Sequence, residues 1–130
     1  MKNTRDYCVS LGAIALAAFL IGAPGGALAQ VNVGANDLGG TVSGASGPEA
    51  GVWVIAETTD LPTKFAKVVV TDDQGRYLIP ELPKAKYKVW VRGYGLVDSA
   101  KLDAEPGKTL DLKATPAPNE KAAAEYYPGM

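Results

Sequence analysis

From residue 38 onward, large apolar side chains alternate with polar ones at a spacing of two, and glycine, proline or aspartate interrupts them every few residues. Period two marks strands with one buried face, and Gly, Pro and Asp turn a chain between strands. The clearest stretch runs over residues 66–95. Val68-Val69-Val70-Thr71 is a β-branched run that ends in the turn Asp72-Asp73-Gln74-Gly75. Arg76–Ile79 follows as a short strand and stops at Pro80. After a corner at Leu82-Pro83-Lys84-Ala85, residues 86–92 alternate cleanly and close at Gly93 and Gly95.

The same pattern predicts strands over 38–44, 52–57, 96–102 and 109–113, and extends the Val68 run to 65–71. The strand at 96–102 is the weakest, because Asp98 and Ser99 dilute it. Seven short strands with no helix between them predict an all-β fold, a seven-strand antiparallel β-sandwich over residues 38–115. Residues 30–37 read as a flexible lead-in. Residues 116–130 begin as a Pro/Ala linker, and Asn119 is placed to cap a short helix over 120–125. Tyr126 and Tyr127 near the end admit two readings: a chain that continues into another domain, or a frayed tail.

The first residues break this pattern. Lys2 and Arg5 give a positive start, residues 9–21 are an apolar run, and Ala27-Leu28-Ala29 offers small residues at the two positions a signal peptidase reads. This is the design of a signal peptide over 1–29, and the run is shorter than the ~20 residues of a permanent bilayer helix. The expected location is therefore periplasmic or secreted, with no membrane span after cleavage. Cleavage removes Lys2, Arg5, Asp6 and Cys8, which leaves a mildly acidic chain without cysteine. Such a chain has no field to attract nucleic acid and no disulfide to staple its core.

Chemistry is sparse. There is no histidine, and the one cysteine lies in the leader. Ser-His-Asp and Cys-His sets and the common zinc sites are excluded. Ser43, Ser46 and Ser99 fit no nucleophile motif. No catalytic residue, metal site or cofactor is expected. The Asp72–Gly75 turn lacks the spaced oxygen ligands of a calcium loop and reads as a hairpin turn.

Thr71-Asp72-Asp73-Gln74-Gly75-Arg76-Tyr77, Leu82-Pro83, Tyr87-Lys88-Val89-Trp90-Val91 and Gly93-Tyr94-Gly95 together resemble the signature of carboxypeptidase regulatory-like domains. The resemblance spans residues 38–115, with Ala85 standing where that family usually has glycine. It implies a transthyretin-like seven-strand sandwich in an accessory role, beside catalytic or transport domains of exported proteins. Related sandwiches include carbohydrate-binding ones. It carries no catalytic residue to transfer.

Strand parity puts Val52, Val54 and Ala56 on one face and Trp53, Ile55 and Glu57 on the other. In the later strand Tyr87, Val89 and Val91 oppose Lys86, Lys88, Trp90 and Arg92. With the valine faces inside, both tryptophans point outward; the transthyretin-like arrangement that the resemblance implies makes the two strands neighbours and sets the indoles side by side, flanked by Lys88 and Arg92. Three uses fit such a pair: a cover for the sheet, a contact with an adjacent domain or another exported protein, or stacking on carbohydrate, with Tyr94 as a further aromatic. The expected surface is Trp53, Trp90, Tyr94, Lys88 and Arg92. The leading expectation is a non-catalytic module that positions or contacts a partner; the alternative is a carbohydrate-binding module.

Overall fold

A computed structural model describes residues 30–126. The expected signal peptide and the end of the tail lie outside the described residues. Among the described residues the elements are mostly strands in antiparallel sheets, with one short helix. In order the elements are β1 (Leu38–Gly44), β2 (Gly47–Pro48), β3 (Trp53–Thr58), β4 (Phe65–Val70), β5 (Arg76–Ile79), β6 (Tyr87–Arg92), β7 (Leu96–Val97), β8 (Leu102–Ala104), β9 (Leu112–Lys113), β10 (Thr115–Pro116) and α1 (Glu120–Tyr126).

One sheet has the order β4-β3-β6-β8, antiparallel throughout. The other is built on β1, which pairs with β5 and β2 antiparallel and with β9 parallel. A two-stranded ladder joins β7 to β10. The sheets share one core. Leu38, Val42, Tyr77, Ile79 and Leu112 enter it from the β1 sheet, and Val54, Ala56, Tyr87, Val89 and Val91 from the β3 sheet. Each large aliphatic side chain buried there contributes about 1.5–3 kcal/mol of transfer free energy. The period-two reading of β3 and β6 therefore holds for their inner faces.

Several polar groups at the core are partnered within the chain. The Tyr87 hydroxyl donates to the Pro83 carbonyl at 2.6 Å, which ties β6 to the corner that precedes it. The Tyr77 hydroxyl donates to the Leu110 carbonyl at 2.5 Å. Burial, and after it the charge of Asp111, holds the Tyr77 hydroxyl well above the ordinary phenol range. Thr71 is buried; its hydroxyl donates to the Glu49 carbonyl and accepts the Val52 N–H, which locks the loop before β3.

Several expectations change in detail. The strand expected at 96–102 is two pieces, β7 and β8. Between them Ser99 turns inward, its N–H donating to the Val91 carbonyl at 3.1 Å and its Oγ accepting the Val91 N–H at 2.8 Å. A side chain replaces the ladder there, which is why the strand breaks at the residue that looked like a diluent. The strand expected at 109–113 is reduced to β9, with an isolated bridge from Thr109 to Gly39, and it runs parallel to β1. The chain reaches it by crossing from one sheet to the other, so no hairpin dictates its direction. The stretch expected as a flexible lead-in lies against β1, where Val31 and Val33 abut Gly39. The expected linker is partly strand, and the Asn119 side chain caps α1 by accepting the Ala122 N–H at 2.9 Å.

At Gly40 a Cβ would fall on the Leu110 carbonyl, so the 109–111 segment can reach β1 only past a glycine. Gly40→Ala is expected to destabilise by roughly 1–3 kcal/mol, read as a lower urea midpoint with unchanged slope. The raised Tyr77 hydroxyl predicts alkaline loss of stability. The unfolded chain deprotonates near pH ~10 while the folded chain keeps its proton, so the contribution is intact below about pH 10 and declines above it. Urea midpoints at about pH 8 and about pH 11 should diverge less in Tyr77→Phe than in the parent.

Candidate partner-binding face

Parity leaves one face of the β4-β3-β6-β8 sheet turned away from the core. The register sets its rows. Val70, Trp53 and Arg92 form one row across β4, β3 and β6. Val68, Ile55 and Trp90 form the next. Ala66, Glu57, Lys88 and Asp103 form the third, which extends onto β8. Trp53 and Trp90 thus share a face, as expected, but as diagonal neighbours. Ile55 is the residue opposite Trp90.

The two indoles differ in exposure. Trp53 begins β3 and is 38% exposed, whereas Trp90 is 5% exposed. The expectation of an exposed tryptophan pair is corrected on this point. Trp90 sits on β6, an inner strand flanked by β3 and β8, with buried Ile55 beside it. The Lys101 ammonium, from the chain entering β8, lies 4.2 Å from the centroid of its ring, a cation–π contact. The Trp90 Nε1 is buried without a hydrogen-bond partner among the described residues. Parity told which face Trp90 occupies; it could not tell what covers it.

The expected cationic neighbours are neutralised. Arg92 holds Asp98 through Nε to Oδ1 and Nη2 to Oδ2, both at 2.7 Å. That hydrogen bonding keeps its guanidinium above the ordinary value. Lys88 pairs with Asp103, and Glu57 with Lys64 at 2.9 Å. These pairs are wholly or partly solvated and contribute little to stability. Tyr94 is 86% exposed on the turn after β6, at the same end of the sheet as Trp53 and Arg92. It borders a 530 Å³ cleft between that turn and α1, lined also by Ala117, Asn119 and Ala123.

The sequence reading missed Val68 and Val70, which are 49% and 57% exposed on the outer face. β4 reads Phe-Ala-Lys-Val-Val-Val, with no alternation to assign its faces. Lys67 argues that its own parity faces solvent, yet it is Phe65, Lys67 and Val69 that are the more buried set. β4 is an edge strand, and the Lys67 Nζ reaches the Pro80 carbonyl at 2.5 Å. A long stem snorkelling from an edge lets the valines take the outer positions.

The Asp72 turn is a self-contained hairpin device. Asp72 Oδ1 accepts the backbone N–H groups of Gln74 and Arg76, Oδ2 pairs with Arg76 Nε at 2.8 Å, and Gly75 takes φ 73°. The Arg76 backbone N–H is the main cause that holds the Asp72 carboxyl below its ordinary value. Among the described residues no three acidic side chains group as a metal site would need. No helix among them is long and apolar enough to cross a membrane. No family model and no curated protein matches the chain.

The unequal exposure of the two indoles has a direct optical test. With Trp53→Phe the remaining Trp90 should emit to the blue and resist acrylamide; with Trp90→Phe the remaining Trp53 should emit further to the red and quench several-fold more steeply. Equal quenching in the two variants would contradict the burial of Trp90.

Proposed function

We propose that the chain is an exported, non-catalytic β-sandwich module of transthyretin-like topology that contacts an adjacent domain or another exported protein. The observation that carries this reading is the row Val70–Trp53–Arg92 with Val68 beside it, an apolar and aromatic strip on the open face of a sheet. Trp, Tyr and Arg are the residues enriched at the energetic centres of protein interfaces, and exposed valines are costly unless something covers them. The leader-like residues 1–29 support export, and the motif from Thr71 to Gly95 supports kinship with carboxypeptidase regulatory-like modules.

The carbohydrate reading needed two open indoles. The burial of Trp90 beneath Lys101 leaves Trp53 as the half-exposed indole of the pair, which favours the partner reading over sugar stacking. The balanced charge supports a protein partner over nucleic acid. Ser43, Ser46 and Ser99, without a histidine in the chain or a lysine motif beside them, support a non-catalytic role.

A photo-crosslinking residue placed at Val68 in producing cells should give protein adducts, and the same group at Lys113, on β9 of the other sheet, should give far fewer. Equal yield at both positions, or none at Val68, would overturn the reading.

A further inference from the structure

The row Val68–Ile55–Trp90 crosses three strands of the outer face and ends differently on its two sides. On β4 it ends in Val68, which is half exposed. On β6 it ends in Trp90, and the Lys101 ammonium lies over that ring, 4.2 Å from its centroid. Neighbouring strands lie about 4.8 Å apart, so the row is about 10 Å wide.

The charge at the Trp90 side is unbalanced. Asp103 holds Lys88 and Glu57 holds Lys64, while neither Lys86 nor Lys101 has a carboxylate partner among the described residues. Lys86 and Lys101 line one 350 Å³ cleft with Lys88, Thr58 and Asp60. Asp60 turns Oδ2 onto the Lys86 backbone N–H at 3.1 Å. Glu57 and Asp103 line the cleft as well, so with Lys64 counted four ammonium groups meet three carboxylates there. Trp90 adds a second signal, because its Nε1 is buried without a hydrogen-bond partner among the described residues. An unmet buried donor is costly, and an oxygen drawn to Lys101 arrives beside the ring that carries this N–H.

These features select a chemistry. An excess of one positive charge, with Asp60 and Asp103 close by, suits a singly charged carboxylate over a phosphate. The exposed valine at the other end of the row suits an apolar side chain. A polypeptide offers both groups within the width of one row, whereas an acidic sugar offers the carboxylate without the apolar side chain. Resting on the contact reading above, we propose that the partner is an acidic polypeptide segment. Its carboxylate docks on Lys101 and Lys86, and an apolar side chain beside it covers Val68.

Trp53→Phe leaves Trp90 as the single indole, so its emission reports on Lys101 directly. The probe is an end-blocked six-residue peptide of alternating glutamate and leucine. The expected result is a saturable change in Trp90 emission below about 5 mM peptide, a weak single-segment affinity. The glutamine counterpart of the peptide should give none. In the same background Lys86→Gln should weaken binding roughly three- to fivefold with unchanged near-ultraviolet circular dichroism. Lys113→Gln, on β9 of the other sheet, should leave it unchanged. No saturable change, an equal response to the glutamine peptide, or indifference to Lys86→Gln in a folded variant overturns the proposal. Tighter binding of trigalacturonate than of the peptide also overturns it, in favour of an acidic sugar. The crosslinking yield at Val68 separates this failure from failure of the contact reading. Protein adducts from Val68 with no peptide binding reject the acidic segment and leave the contact reading standing. No binding and no adduct reject both.

Discussion

The register of β3 against β6 is the constraint from which the rest follows. Val54 lies opposite Val91 and Ala56 opposite Val89, so four inward side chains meet the side chains of β1, β5 and β9 as one layer. The same pairing fixes the outer face, where Ile55 faces Trp90 and Trp53 faces Arg92. A slip of one residue would send the valines out and the indoles in, because side chains alternate at a period of two. The buried valines therefore define the surface as firmly as they define the interior.

Around that pairing the fold is held by backbone groups satisfied locally rather than by covalent staples. The Tyr87 hydroxyl on Pro83, the Tyr77 hydroxyl on Leu110 and the Thr71 hydroxyl on Glu49 each anchor a loop to a strand end. Hydrogen bonds of this sort contribute about 0.5–1.5 kcal/mol each, and leaving their buried partners unmade costs more. Residues 30–126 contain no cysteine, so these anchors fasten the loops without any disulfide.

Much of this was legible in the residues. β1 and β5 stand where the alternation and the turn residues put them, β4 and β6 are each a residue shorter at one end, and β3 is shifted by one residue. Asn119 signalled the helix that it caps. What could not be read depended on partners distant in the chain. Ser99 looked like a polar interruption because its hydrogen-bond partner, Val91, belongs to another strand. The faces of β4 could not be assigned, because its residues do not alternate and nothing local shows that it is an edge. Trp90 was assigned its face correctly, and of the uses that fitted the pair the sheet cover is the one its burial under Lys101 matches, a contact that reaches it from the far side of a turn. Local pattern specifies a face; tertiary neighbours decide whether that face meets water.

The account makes the outer strip a consequence of core packing, with Trp53 offered and Trp90 withheld by one and the same register. Nuclear Overhauser contacts between the paired strands test that most directly. The account predicts cross-strand backbone contacts between Ile55 and Trp90 and between Trp53 and Arg92, with slow amide exchange along β3 and β6. Contacts that place Trp90 opposite Val54 or Ala56 would contradict it.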